Sequence, residues 1–464
     1  MKIKKAIGVI VAVLMIFSTL TVLSGCGEKN PSLVFASSGE KIAEITSTIS
    51  GEASYTNKNY SAYIDFVIED AAVALAETMD ILTDEASELL CEEGYKIFTT
   101  FSKEDMDCLI NAHTQSELEK STLFGAAVTD LKGAVTAAYS SGARQGLSNF
   151  ALSKSQPYSS IKPLSVYAPA LEKGIINYAT GIEDSPFKQI TDAGGNKSDW
   201  PTNASGRYSN KNISIGDAIR DSVNTVSVRT LDMLGAGNSL DFLKNSFSLD
   251  LTEERKKRAE YGNEEIYGNL AMGYLIKGVS PLDMAGYYSI FANGGKYTKP
   301  YAVTKITDLS GEVIYTVKPE EKQVISADTA YIMNRMLNSV VTQGGTGKAA
   351  RLGGIDICGK TGTGSANGLS GNWFAGITPG FSCTVWHGGG DEANIAPDIF
   401  KSFTKNKTDG KNNSALRRFS GTKNVKMRMF CANSGCLATS YCGLVSEGYF
   451  TEDNMPEMCN GHSR

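Results

Sequence analysis

Three short polar motifs, widely separated along the chain, constrain its fold more than any other feature: Ser159-x-x-Lys162, Ser222-x-Asn224 and Lys360-Thr361-Gly362. The second begins 63 residues after the first, and the third 138 residues after the second. No motif is informative alone. Ser-x-x-Lys occurs five times, at Ser38, Ser159, Ser185, Ser402 and Ser420, and Ser-x-Asn recurs at Ser365 and Ser370. Lys-Thr-Gly occurs once, and taken singly it reads as an ordinary turn. The set gains meaning only in a fold that returns to one pocket from three distant points. The longer spacing leaves room for a helical subdomain between the second and third elements.

Serine chemistry is what such a pocket would support. The chain has three histidines, His113, His387 and His462, and no Gly-x-Ser-x-Gly elbow. That argues against a Ser-His-Asp hydrolase. A neutral lysine can take the place of the histidine. Unperturbed lysine has a pKa of about 10.4, so roughly one in a few thousand is neutral at pH 7. Lowering it by about 3 units takes about 4 kcal/mol, from burial and a neighbouring positive charge. Ser-x-x-Lys on one helical turn puts both side chains on one face. The mechanism therefore predicts a second cation in the pocket, and Lys360 is the candidate.

The N-terminus sets the compartment. "MKIKK" is followed by the apolar run "AIGVIVAVLMIFSTLTVL", and then by Leu23-Ser24-Gly25-Cys26. A positive start, an apolar core and small residues describe an export signal over residues 1–25, and an uncleaved membrane helix is the alternative. The Leu-Ser-Gly-Cys segment resembles a bacterial lipobox, which implies lipidation of Cys26 and a membrane-anchored, extracytoplasmic protein. Among the other cysteines, Cys91, Cys108, Cys358 and Cys383 are scattered and read as small buried side chains. Cys431, Cys436, Cys442 and Cys459 cluster near the end. Outside the membrane they read first as disulfides; a zinc site is the alternative, although the spacing is not Cys-x-x-Cys. The net charge of -5 and the scattered basic residues exclude a nucleic-acid stripe.

Along the chain, residues 26–57 are polar and weakly patterned and read as a tether. Ile64, Val67, Ile68, Ala71, Ala72 and Leu75 recur at helical spacing, so one or two helices are expected between Tyr60 and Leu90. "YKIFTTF" alternates like a strand, and "LFGAAVTDLKGAVTAAYSSG" resembles a hairpin turning at Asp130-Leu131-Lys132-Gly133. "SSIKPLSVYAPALEKG" reads as a helix, with Pro163 in its first turn and Lys-Gly at its end. "ISIGDAIRDSVNTVSVRTLDMLG" and "SPLDMAGYYSIFANGG" are further helical stretches. "YAVTKITD" and "GEVIYTV" read as strands, and "NWFAGITPGFSCTVWHG" as a second hairpin. The mixture implies an α+β domain over residues 58–405, with an antiparallel sheet and clustered helices. A polar linker over 406–423 and a Cys-rich tail over 424–464 would follow.

The motif order Ser-x-x-Lys, Ser-x-Asn, Lys-Thr-Gly is the set found in β-lactamases and penicillin-binding proteins. Over residues 60–464 the chain resembles the transpeptidase domain of class A penicillin-binding proteins. "EEGYKIFTTF" resembles the strand that opens that domain, and "PYSSIKPLSVYAPALEKG" its Pro-Gly-Ser-Ser-Phe-Lys-Pro stretch. "LAMGYLIKGVSPLDMAGYYSIFANGGKYTKPY" and "GKTGTGSANGLSGNWFAGITP" resemble two more of its segments. "CLATSYC", Tyr449-Phe450 and Cys459 are similar to a tail in some Gram-positive members. The resemblance implies the serine β-lactamase/DD-peptidase fold and D,D-transpeptidase activity, cross-linking peptidoglycan stem peptides and blocked by β-lactams. Ser159 would be the nucleophile and Lys162 its base. Ser222 would relay a proton to the leaving amine, and Asn224 would bond the substrate amide. Lys360, Thr361, Gly362 and Thr363 would hold the terminal carboxylate, with the backbone N–H groups of Ser159 and Thr363 as the oxyanion hole. No metal or organic cofactor is implied.

Two departures stand out. The family's glycine before the nucleophile is Tyr158, which could narrow the cleft, and its phenylalanine before the lysine is Ile161. Only 132 residues separate Cys26 from Ser159, so a monofunctional cross-linker is expected, relying on a separate glycan polymerase. A D,D-carboxypeptidase shares every motif. A serine β-lactamase would need a base such as Glu253, Glu254, Glu264 or Glu265, the last four residues before Asn269, in a charged, loop-like stretch that reads as solvated surface. A non-catalytic wall-binding or antibiotic-sensing lipoprotein is a third alternative, against which the intact motif residues argue.

Overall fold

The computed structural model describes residues 30–47, 53–119, 122–142, 149–192, 194–342, 344–366, 368–390, 393–409 and 417–461. The export segment and Cys26 lie outside these residues. Both expected hairpins form. Leu123–Thr129 turns into Val135–Ser141 through Asp130, whose Oδ1 accepts from the N–H groups of Lys132 and Ala134 at 2.8 Å. Leu369–Ile377 turns into Ser382–Gly388. With Cys358–Ala366 they make a five-stranded sheet, antiparallel throughout, in the order 358–366, 369–377, 382–388, 123–129, 135–141.

Side chains alternate across a strand, and here both faces are covered. Trp373, Ala375 and Ile377 enter one apolar core with Ile161, Leu164 and Tyr167 of the Ser-x-x-Lys segment. Phe374 faces the other way, against Phe400 at 5.1 Å between ring centroids. That second core holds Ile64, Val67, Ala71, Ala72 and Leu75 of the helix Ser61–Met79. Cys91, Cys108, Cys358 and Cys383 are all buried. The α+β class is borne out, with helices on both faces of the central sheet.

Three boundaries differ from the sequence reading. Residues 26–57 are not simply a tether. Ser32–Phe35, Lys41–Ser47 and Ala53–Tyr55 join a six-stranded sheet, where Val34, Ile42, Ala43 and Ile45 are buried. The strand Ser32–Phe35 pairs in parallel with Lys96–Thr99, about 60 residues on, a partner no local pattern announces. The helix Ala396–Thr408 runs into the expected linker, and beyond it the carbonyl of Arg417 accepts from Asp356 N–H at 2.8 Å. The Cys-rich tail forms a hairpin of Lys426–Cys431 and Val445–Phe450 docked on the main domain, with Phe430, Tyr449 and Phe450 around Tyr178. Among the described residues no helix is long and apolar enough to cross a membrane.

Candidate active site

The Ser159 segment begins as the 3-10 turn Tyr158–Ile161, passes through a π-helical stretch Pro163–Tyr167 and ends as the α-helix Ala168–Glu172. Its prolines free backbone carbonyls for other partners. Pro169 has no N–H for the carbonyl four residues back, and that carbonyl, of Ser165, accepts from Ser239 Oγ at 2.6 Å. The turn itself is pinned from three sides. Tyr158 N–H donates to the Gly273 carbonyl at 3.1 Å and Trp373 Nε1 to the Gln156 carbonyl at 2.9 Å, while the Tyr288 hydroxyl donates to the Ser160 carbonyl. Pro163 sits at the start of its stretch, as its missing N–H requires.

Ser222 ends the helix Ile215–Asp221 in the left-handed region, φ 60°. A serine there is strained, and the conformation aims its carbonyl and hydroxyl into the same pocket. Lys162 Nζ donates to the Ser222 carbonyl at 3.1 Å and to Asn224 Oδ1 at 2.6 Å. Lys360 Nζ donates to Ser222 Oγ at 2.8 Å and to the Thr361 carbonyl at 3.1 Å. Ser222 thus stands between two lysines, both fully buried. Ser159, Ser222 and Asn224 are half-buried and Thr363 is exposed, so the site opens to solvent on the side away from the amines.

Electrostatics separate the amines from ordinary lysines. Burial, then the positive charge of Lys360, holds Lys162 well below its usual range. Burial pushes Lys360 down to about 7, against the pull of Asp221. The second amine that the sequence reading called for thus shares the pocket with Lys162, and burial pushes both toward the neutral form.

The Lys-Thr-Gly strand lies hard against the Ser159 turn. A Cβ on Gly362 would stand 2.4 Å from the Pro157 carbonyl oxygen and 3.1 Å from Ser160 N. Thr361 Oγ1 donates to Thr346 Oγ1 at 2.9 Å, and Asn394 Nδ2 to Thr363 Oγ1 at 3.0 Å. No motif pointed to Thr346, Asn394, Asn203 or Asp184. Asn203 Oδ1 accepts from Asn224 N–H at 2.9 Å, and Asp184 Oδ1 accepts from Asn203 Nδ2 and Thr225 Oγ1, each at 2.6 Å. Burial raises the Asp184 pKa, but bonds from Thr225, Ser209 and Asn203 outweigh it and leave the carboxyl below its usual value. These residues carry no motif, because they act through contacts made only in three dimensions.

The other candidates disperse. Ser185 Oγ accepts from Arg229 at 2.9 Å, and Ser402 lies within the helix Ala396–Thr408. The glutamates expected in a solvated loop lie on the helix Thr252–Tyr261 and the turn Asn263–Ile266. Glu253 pairs with Lys256 and Glu264 with Lys188 on the surface. Glu254 departs from that reading, being buried and accepting from Ile276 N–H at 2.7 Å. The bulk of Tyr158 goes away from solvent: its ring is 4% exposed and lies over Gly364 and Gly371, edge-on to Tyr274 at 5.6 Å.

The structure thus brings the Ser159 turn, Ser222, Asn224 and the Lys-Thr-Gly strand together around two buried amines, Lys162 and Lys360. Residues 125–390, more than half of the chain, match the penicillin binding protein transpeptidase domain, and the chain belongs to that family. It is 32% identical over 258 residues to penicillin-binding protein 1A of Clostridium botulinum (strain Hall), covering 53% of this chain and 28% of that protein. It is 29% identical over 388 residues to penicillin-binding protein 1A/1B of Bacillus subtilis, covering 77% of this chain and 39% of that one. The chain thus spans less than half the length of either relative. The fold is shared with penicillin-binding protein 1A of Haemophilus influenzae, with a TM-score of 0.66, 19% identity and coverage of 88% and 78% of the two chains. It is shared equally with the D,D-transpeptidase domain of a peptidoglycan glycosyltransferase from Eggerthella lenta, with a TM-score of 0.61, 18% identity and coverage of 82% and 99%.

Proposed function

We propose that the protein is a D,D-transpeptidase that cross-links peptidoglycan stem peptides through an acyl-enzyme on Ser159. The observation that carries the proposal is the buried Lys162–Ser222–Lys360 chain, two amines joined through one serine, with burial and the Lys360 charge favouring a neutral Lys162. Lys162 takes the Ser159 Oγ proton as Oγ bonds the penultimate D-Ala carbonyl carbon. The peptide C–N bond then breaks, and the departing D-Ala amine takes a proton relayed by Ser222. Asn224 orients the substrate amide, and Lys360 with Thr361 and Thr363 binds the terminal carboxylate. Gly362 admits the close approach of strand and turn. The Ser159 and Thr363 N–H groups stabilise the oxyanion, each donor contributing about 3 kcal/mol. An amine from a second stem resolves the acyl-enzyme, and a β-lactam acylates the same oxygen. We place this work outside the cytoplasmic membrane, with a lipid on Cys26 as the anchor, supported by the Leu23-Ser24-Gly25-Cys26 pattern.

The test is labelling with a fluorescent penicillin, beside Ser159→Ala, with release followed over time. Labelling that requires Ser159 and persists is expected. Rapid release would identify a β-lactamase, and absence of labelling a non-catalytic protein. Incubation with a stem pentapeptide, with and without an amine acceptor, then separates cross-linking from carboxypeptidase action.

A further inference from the structure

We propose that the C-terminal tail is built around a structural divalent cation of borderline softness, zinc, held by the thiolates of Cys431, Cys442 and Cys459. The Sγ atoms of these three residues lie within 4.8 Å of one another. They converge from separate parts of the tail although no two share a Cys-x-x-Cys spacing, a juxtaposition that only the fold creates. Cys431 ends the strand Lys426–Cys431 and anchors a tight turn, its N–H donating to the Cys436 carbonyl at 2.7 Å and its carbonyl accepting from Gly435 at 2.8 Å. Cys442 N–H donates to the Thr439 carbonyl at 3.1 Å. Cys459 N–H donates to the Leu437 carbonyl at 2.8 Å, and Leu437 N–H to the Glu457 carbonyl at 2.8 Å. Backbone thus fixes the position of each ligand.

Two of the sulfurs also accept hydrogen bonds. Thr439 N–H is aimed at Cys442 Sγ at 3.3 Å, and Ser434 Oγ donates to Cys459 Sγ at 3.3 Å. Outer donors of this kind orient metal ligands and stabilise their charge. A disulfide could join only two of the three converging sulfurs. A tetrahedral zinc with Zn–S bonds of about 2.3 Å spaces its sulfurs about 3.8 Å apart, within the observed limit. Cys436 is not in the cluster. Its Sγ faces the Ser434 carbonyl at 3.9 Å.

A two-stranded hairpin alone is marginal in water, and the apolar contribution of this one, Val425, Phe430 and Phe450, is packed into the core of the main domain, leaving the cysteine end to be held by other means. The turn it would fix carries Gly435, where a Cβ would stand 2.6 Å from the Ala179 carbonyl, directly beside the Tyr178 contact. Binding exchanges three S–H bonds for three Zn–S bonds and releases three protons, so affinity falls at low pH.

The full chain, purified under reducing conditions and stripped with a chelator, is titrated first with Zn2+ and then, in a separate sample, with Co2+. One equivalent of zinc per chain, a higher Tm with zinc than without, and a thiolate-to-cobalt charge-transfer band are expected. Cys442→Ser and Cys459→Ser should each lose most of that band, whereas Cys436→Ser should keep it. A reduced wild-type chain that binds neither ion would overturn the proposal, independently of whether any variant folds. So would a disulfide among Cys431, Cys442 and Cys459, found by peptide mapping of the protein as isolated, or a Cys436→Ser chain that loses the band.

Discussion

At the residue scale the site is decided by two amines sharing one desolvated pocket. Burial disfavours the charged form of each, and two charges together are costlier than one. Lys162, lowered well below its usual range, is neutral above its depressed pKa and protonated below it. Penicillin acylation should therefore fall as pH drops through that value. Lys360→Ala removes the neighbouring cation, so the pKa of Lys162 rises and the acid limb of the acylation rate moves to higher pH. An unmoved limb in this variant would remove Lys360 from the electrostatics. Tyr158 makes a second case. Its φ of 48° is a left-handed conformation that costs a side-chain-bearing residue about 1–2 kcal/mol, while truncating a buried aromatic costs about 3–5 kcal/mol. Tyr158→Gly loses the ring but relieves the strain, whereas Tyr158→Ala loses the ring and keeps it. Both should lower the unfolding free energy in a urea titration, and alanine should be the worse of the two by about 1 kcal/mol. The family glycine at this position is explained by the same φ. The sequence showed the substitution and the motif lysines, but not that the tyrosine ring would turn inward over Gly364 and Gly371.

At the element scale the decisive contact is between the Lys-Thr-Gly strand and the Ser159 turn. Glycine at 362 lets Cys358–Ala366 lie against Pro157 and Ser160 with no side chain between them. Gly362→Ala cannot be accommodated by rotating a flexible neighbour, since the nearest atoms are backbone. The strand must move outward by several tenths of an ångström, carrying Lys360 away from Ser222. We expect penicillin acylation to fall more than about tenfold, because misplacement near 1 Å can cost about a hundredfold in rate, and Tm to fall as well, since overpacking costs about 1–3 kcal/mol. An acylation rate within twofold of wild type would show that the contact has slack. Elements of this kind were legible where the sequence pattern is local. The two hairpins, the helix Ser61–Met79 and the helix around Ser159 all follow from alternation, helical spacing or turn residues. The π-helical stretch after Lys162 was not, since it depends on Ser239 and Leu270 satisfying polar groups from outside the segment: Ser165 Oγ donates to the Leu270 carbonyl at 2.6 Å.

At the scale of the whole molecule, the N-terminal strands show what a single sequence hides. Residues 32–47 are short, polar-flanked and paired with a strand far along the chain, so nothing nearby distinguishes them from a tether. Their burial ties them to the site. Lys96–Thr99 pairs with Ser32–Phe35 on one side and Val303–Thr307 on the other. Just beyond it, Thr100 Oγ1 donates to the Val135 carbonyl at 2.6 Å and Ser102 N–H to the Thr136 carbonyl at 2.9 Å, in the central hairpin. From there the sheet carries Phe374 into the N-terminal core and Trp373 into the core beneath Ser159. Val34 is fully buried in the first of these. A tether residue would tolerate Val34→Asp within about 0.5 kcal/mol, but an unpaired buried carboxylate belongs to the class of changes that cost more than about 4 kcal/mol. We expect Val34→Asp to lower the unfolding free energy by that amount, and to lower the temperature at which penicillin labelling is lost in parallel with Tm. Loss of labelling well below Tm would mean that the site melts by itself. A Val34→Asp chain as stable as wild type would return residues 32–47 to the tether.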